Sequence, residues 1–403
     1  MERQKQRIVT EYSSFKFIEN RLDSFNRVNS EKNSFAVYED GTVGIFYTEG
    51  SIGDDEGYSK ADDNLALERP YKFDLETGVR SRDLTEKILT GEDLKELTAQ
   101  VLDYVGSRHP DFRINGQVSF FRQNVTMTNS KGLDLSDTDG NTTIGFSYKH
   151  KDSKDLDDGY IHLSKRSLDT EKFKKLTDNF LDAYNNPVEL PKELIIQDTY
   201  YGYLSEFYKY LNAEDLSLGT SLLSGKLGQK VFSDKFTLWH NVSKEKAWAS
   251  PFFDGEGVIA DSDIYTYIKD GVLLTGFADK RIADKYGVPH TGSAARVLSD
   301  IPQNGGVSFH IPPCDKTAKQ LLDGRLSVVP IQASGGGFNE KGDFVMPVQN
   351  SMLCDGEKFI GRLPQFTMSG NIFDMFGDGF IGVTSDDAAL EDKTVLMKMN
   401  IGG

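Results

Sequence analysis

From Phe15 to Tyr47 the chain passes through short aromatic and β-branched stretches. The last is Asp40-Gly41-Thr42-Val43-Gly44-Ile45-Phe46-Tyr47, a turn signal followed by a strand pattern. The period then changes. From Gly91 onward Leu94, Leu97, Val101, Tyr104 and Val105 recur at helical spacing, with Glu92, Asp93, Lys95 and Glu96 on the other side. The same order returns further on. Gln117-Val118-Ser119-Phe120-Phe121 and Asn124-Val125-Thr126-Met127-Thr128 lead to Asp139-Gly140 and a strand pattern ending at Tyr148. Phe173, Leu176, Phe180, Ala183 and Tyr184 then form a second helical stripe, whose start Asp169 or Thr170 can cap by accepting backbone N–H bonds.

Two meander-plus-helix units in tandem predict an α+β fold whose N-terminal domain, residues 1–188, packs helices on one face of a sheet. Asn185-Asn186-Pro187 to Pro191 cannot continue a helix and marks the boundary. Beyond it, short strand-like runs at Ile264 to Ile268, Leu326 to Val329 and Val395 to Met399, separated by glycine turns, predict a β-rich C-terminal domain over 189–403. Helices are expected at Tyr203 to Leu211 and Lys316 to Leu322.

Charge narrows the function classes. With 62 Asp and Glu against 46 Lys and Arg, the net charge is -16, which opposes the counterion release that drives nucleic-acid binding. The opening Met1-Glu2-Arg3-Gln4-Lys5-Gln6-Arg7 lacks a signal-peptide core, and no stretch reaches the ~18 apolar residues of a membrane span, so a cytoplasmic protein without a membrane partner is expected. Cys314 and Cys354 are too few and too far apart for a disulfide framework or a CxxC zinc site.

Candidate chemistry is sparse. His109, His150, His162, His240, His290 and His310 include no pair within a helical turn or two, so no zinc-hydrolase helix is formed. No Gly-x-Ser-x-Gly elbow occurs, and Ser-x-x-Lys at Ser13 to Lys16 and Ser243 to Lys246 is a short chance pattern. Cys314, after two prolines and beside Asp315, reads as a buried small hydrophobe rather than a nucleophile. In the acidic run Leu135 to Gly140, Leu135 and Phe146 stand where an EF-hand needs oxygen ligands, so the run reads as a hairpin turn closed by Asp139-Gly140. Ser334-Gly335-Gly336-Gly337-Phe338 lacks the Gly-Lys-Ser/Thr of a phosphate loop. It is either a flexible turn or a place where a peptide backbone approaches closely.

Several runs together resemble the TldD/PmbA family, also called modulators of DNA gyrase. They are Asn124 to Leu133, Gly219-Thr220-Ser221 with Ser224 to Gln229, Ala249-Ser250-Pro251-Phe252-Phe253-Asp254-Gly255-Glu256-Gly257-Val258, Lys269 to Leu273, Thr291-Gly292-Ser293-Ala294-Ala295-Arg296, and Phe366 to Phe373. Their order spans nearly the whole chain and is closest to the PmbA or TldE side. The resemblance implies a two-domain α+β protein in the cytosol, in a family where a TldD-type subunit pairs with a TldE-type subunit to form a zinc peptidase for small unfolded peptides. TldD-type subunits hold zinc with a His-Glu-x-x-x-His helix and a late cysteine. The corresponding helix here, Tyr203 to Leu211, has no histidine, and Gly377 to Thr384 has no cysteine. The chain also begins near the first strand, without the leading helix common in the family.

The expectation is therefore a subunit with no catalytic residues, metal ligands or cofactor of its own. It would assemble with a TldD-like metallopeptidase or with itself and bind an extended peptide through Gly335, Gly336, Gly337, Tyr203 and Phe207. The alternatives are a homo-oligomeric peptide-binding or scaffold protein, and a peptidase using an unrecognised site.

Overall fold

The computed structural model describes residues 1–199, 201–245 and 250–402; Lys246 of the second Ser-x-x-Lys and Ala249 of the family-like run lie outside the described residues. In the first half the strand patterns extend into ribbons much longer than their apolar runs. They are Glu2–Ile18 (β1), Arg21–Glu39 (β2), Thr42–Glu49 (β3), Gly78–Asp83 (β4), Phe112–Asn129 (β5), Leu133–His150 (β6) and Gly159–Lys165 (β7). One sheet joins them in the order β3-β2-β1-β5-β6-β4, with β7 also on β6. The polar opening of the chain becomes the centre of this sheet. β1 pairs antiparallel with β2 along its whole length and with β5 from Gln4 to Phe17. Backbone pairing on both sides overrides the weak strand propensity of Glu2 to Arg7.

The two repeats are visible as two long hairpins, each with a third strand. Asp54–Asp63 (α1) and β4 intervene before Gly91–Arg108 (α2) in the first, whereas Thr170–Tyr184 (α3) follows β7 directly in the second. Thr90 and Asp93 form a capping box at the start of α2, and Asp169 accepts the Glu171 N–H at the start of α3. Leu94, Val101 and Val105 from α2 and Phe173, Leu176, Phe180 and Leu181 from α3 bury one face of the sheet through Ile114, Val118, Ile144, Phe146 and Ile161.

Asp139-Gly140 is not a turn. Both residues lie buried in the middle of β6, and the turn falls at Ser130 to Gly132, where Gly132 takes a φ of 93°. Arg166 clamps the Asp139 carboxylate with two bonds of 2.8 Å. A Cβ on Gly140 would stand 2.8 Å from the Phe121 carbonyl oxygen of the facing strand. The glycine thus serves close strand packing, and the aspartate has a cation to offset its burial.

In the second half a ring of strands closes on itself. Ser327–Ala333, Asp343–Cys354, Phe366–Asn371 and Val395–Ile401 join Leu194–Asp198, and are numbered in chain order β8 (Leu194–Asp198), β9 (Ser327–Ala333), β10 (Asp343–Cys354), β11 (Phe366–Asn371) and β12 (Val395–Ile401). β9 lies parallel to β8; β8 pairs antiparallel with β12, β12 with β11, β11 with β10, and β10 with β9. Alternate residues separate two packing faces. Leu194 and Ile196 join a large aromatic and aliphatic core, while Ile195 packs with Leu322 and Leu396. Where one helix is expected from Tyr203 to Leu211 there are two single turns, Tyr201–Leu204 (α4) and Phe207–Tyr210 (α5). The helix near Lys316 is confined to Ala318–Leu322 (α6), with Thr317 and Gln320 in a capping box.

The two halves share a core. Val329, Met352, Cys354 and Phe359 of the second half pack in the same cluster as α2, α3 and the first sheet, with the Phe180 and Phe359 rings 4.7 Å apart. Among the described residues, no helix is long and apolar enough to cross a membrane.

Candidate functional site

The family-like run from Ser250 to Val258 folds into a tight loop between the two halves. Asp254 sits at its centre and accepts three backbone N–H bonds, from Glu256 and Val258 on Oδ1 and from Ala294 on Oδ2, at 2.8 to 3.0 Å. Glu256 accepts the Tyr71 hydroxyl on Oε1 and the Lys280 N–H on Oε2, and His290 Nε2 lies 3.7 Å from Oε2. The loop is fastened to the first sheet where Gln6 donates to the Gly255 carbonyl and Phe252 N–H donates to Asp137. Arg296 lies over the Phe253 ring and donates to the carbonyls of Phe253 and Asp254. Burial, with Glu256 alongside, pushes the Asp254 carboxyl up to about 6, and burial pulls the Arg296 guanidinium down to about 10.

Asp254, Glu256 and His290 are the metal-capable set that converges among the described residues, with ligand atoms within 4.8 Å of one another. Their chemistry here is that of a clasp. All four carboxylate oxygens are engaged, and five of the bonds or contacts they make tie the loop to Tyr71, Lys280, Ala294 and its own backbone.

The zinc implied by the family fits neither of the places where it would be sought. On α4 and α5, Tyr203, Leu204, Phe207 and Tyr210 are all buried apolar or aromatic side chains, and Phe207 packs against the rings of Phe232, Phe236 and Phe376. This is a closed hydrophobic core; among the described residues of the stretch there is no histidine or cysteine, and the Glu206 carboxylate between the two turns is paired with Lys209. Near the late segment, Cys314 is only half-buried rather than the buried residue expected. Its sulfur takes a weak bond from the Lys316 N–H. Cys354 is the fully buried thiol, pushed up to about 12 by loss of hydration.

Tyr203 and Phe207, at 4% and 0% exposure, present no surface to a peptide. Gly335, Gly336 and Gly337 are exposed, but the close approach is to the chain itself. A Cβ on Gly336 would collide with the Val345 carbonyl oxygen, so the glycine lets Gly337-Phe338 pair with Phe344-Val345. Tyr203 packs on Phe344 and Phe344 on Phe338, which places these expected residues around one aromatic contact.

A different region offers binding space. A cleft of about 670 Å³ runs along the seam between the halves, lined by Tyr160, His162 and Ser164 of β7, Leu176 and Phe180 of α3, Asp198 and Thr199 at the end of β8, and Pro330 and Ile331 of β9. Open strand edges flank it. Among the described residues β7 pairs only with β6, and the β8 side of β9 is paired only at Val328. On β7 the alternation of exposed Tyr160 and His162 with buried Ile161 and Leu163 turns two stacked rings toward the solvent side. Loss of hydration raises the Asp198 carboxyl to about 6. The signal for this cleft was present in the sequence as the alternation from Tyr160 to Leu163, but nothing local indicated that the second half would lie against it.

A ring of strands joined through a shared helical layer to a sheet of two long hairpins defines a two-part α+β protein. The model of the PmbA/TldA metallopeptidase C-terminal domain matches residues 194–396, half of the chain, and the protein belongs to this family. It is similar to an uncharacterized protein of Methanocaldococcus jannaschii, 25% identical over 375 residues that cover 88% of this chain and 85% of that one. The fold matches a putative modulator of DNA gyrase from Thermotoga maritima at a TM-score of 0.80, 20% identity and coverage of 99% of this chain and 95% of that one. It also matches TldE from Thermococcus kodakarensis at a TM-score of 0.78, 16% identity and coverage of 100% and 97%.

Proposed function

We propose that this chain is the non-catalytic, TldE-like subunit of a TldD/TldE-type metallopeptidase assembly, holding a small unfolded peptide in extended form while a TldD-like subunit supplies the metal. The observation that carries the reading is the seam cleft between the free edge of β7 and the side of β9 that pairs with β8 only at Val328. An extended backbone entering it meets N–H and C=O groups already held in strand geometry, and strand addition requires no catalytic side chain. The tyrosine and imidazole rings of Tyr160 and His162 offer stacking surface, while the mixed charges of Lys165, Asp198 and Asp392 favour no single peptide sequence. The aromatic packing of α4 and α5, in place of a ligand-bearing helix, supports a subunit that leaves hydrolysis to its partner.

The test is co-expression with a TldD-like protein from the same source, followed by measurement of complex formation and peptide cleavage. The expected result is a stable complex that cleaves unfolded peptides faster than the partner alone. Absence of a complex, with full activity of the partner by itself, overturns the proposal, as does stoichiometric zinc with chelator-sensitive turnover in this chain alone.

A further inference from the structure

The runs 250–258 and 291–296 also wall a second cavity, of about 220 Å³, whose lining shares no residue with the seam cleft. Arg296 and His240 both line it. Arg296 has five N–H donors and uses two of them among the described residues, both on Nη2, to the Phe253 and Asp254 carbonyls. Its Nε is buried without an acceptor. Arg82 and Arg281 also leave Nε unbonded, but each has a carboxylate on another nitrogen, at 2.6 and 3.4 Å, whereas Arg296 has no ion pair among the described residues. The two acids whose charges act on it are committed elsewhere. Asp254 holds backbone N–H groups with both oxygens, and Asp137 pairs with Arg82 and accepts the Phe252 N–H. His240 is buried, and the Ser308 N–H donates to its Nδ1 at 2.9 Å, which puts the ring proton on Nε2. Burial pulls the imidazole down to about 4, so the ring is neutral. The Nε2–H finds no acceptor among the described residues.

We infer that this cavity binds a small monocarboxylate with an apolar tail, whose oxygens take the N–H groups that Arg296 and His240 leave unbonded. The two side chains offer donors only, and an ionised carboxylate offers acceptors only. A guanidinium held away from water without an anion is costly, and a bound carboxylate offsets that cost. Val242, Val258, Ala260 and Val307 supply an apolar wall for the tail. A single cation beside Asp254 suits a monoanion, because a phosphate dianion would set two negative charges against that carboxylate. A free small acid and the C-terminal residue of a peptide both present this chemistry. The inference goes beyond the proposed function and does not rest on it, because no residue of the seam cleft takes part.

The site is tested by isothermal titration of the full chain with sodium propionate, N-acetyl-alanyl-alanine, the C-terminal amide of that peptide, and inorganic phosphate. One of the two acids, or both, is expected to bind once per chain, and the amide at least about tenfold more weakly than its acid because it lacks the charge. Binding of propionate alone identifies a free acid as the source, and binding of the peptide acid identifies a chain end; either supports the site. Arg296→Met and Ala260→Phe are each expected to weaken acid binding at least about tenfold. Arg296 also fastens the loop, so circular dichroism checks the fold of that variant. Ala260→Phe decides the matter independently, since it fills the apolar wall at an extended position, φ -71° and ψ 145°, and touches neither donor. The inference is overturned if neither acid binds at about 20 mM, or if the amide binds as tightly as its acid. Tighter binding of phosphate than of propionate, or undiminished acid binding by Ala260→Phe, overturns it as well.

Discussion

Two buried carboxylates, both raised to about 6 by loss of hydration, are held by different sets of partners. Asp254 accepts from three backbone N–H groups, so Asp254→Ala leaves two buried donors and one half-buried donor without acceptors. At ~1–3 kcal/mol for each buried unmet group, urea unfolding should show a loss of at least about 2 kcal/mol, and a loss under 1 kcal/mol would show the loop is not a clasp. Asp198, with fewer backbone donors, likewise has a carboxyl raised from 3.8 to about 6 by loss of hydration. A carboxyl with a raised folded pKa binds its proton more tightly in the native state, so its contribution favours folding below about pH 4 and is lost as pH climbs to about 6. Stability measured for wild type minus Asp198→Asn should therefore fall between pH 4 and pH 6 and level off above. A flat difference would mean that Asp198 is hydrated in solution. The importance of Asp254 was legible as part of a family-like run. Its job was not, because its acceptor role depends on Ala294, forty residues away, and on a loop shape that no local pattern encodes.

At the level of elements, the helices were the most readable parts. The stripes of α2 and α3 repeat at 3.6 residues, and Thr90 and Asp169 cap them through bonds made within a turn. Strands were read as present but too short, since β1 is held by pairing with β2 and β5 rather than by its own composition. Asp139-Gly140 misled for a related reason: a dipeptide that commonly turns a chain stays extended when pairing with β5 and the Arg166 clamp hold it. Replacing Gly140 by Ala places a methyl 2.8 Å from the Phe121 oxygen and is expected to cost about 1–3 kcal/mol by thermal unfolding. A turn at this position would instead tolerate the change. The expected peptide contacts at Tyr203 and Phe207 failed on burial, which periodicity over a nine-residue stretch cannot distinguish from an exposed aromatic face.

For the whole molecule, the shared core sets the unit of stability. Phe180 of α3 touches Phe359 of the second half while packing on Tyr148 of the first sheet. Phe180→Ala is expected to cost about 3–5 kcal/mol and to lower the unfolding midpoint of signals from both halves together. Two separate transitions in calorimetry, only one of them shifted, would show that the halves unfold independently. The central place of β1 carries a consequence for synthesis. Its first neighbour, β2, emerges at once, but its second, β5, begins at residue 112, so the strand that starts the chain must wait through about a hundred further residues before its other side is covered. During that interval the nascent hairpin exposes an edge on each side, and translation pauses after the β5 codons would favour correct closure, whereas pauses before them would prolong the period in which chaperones are needed.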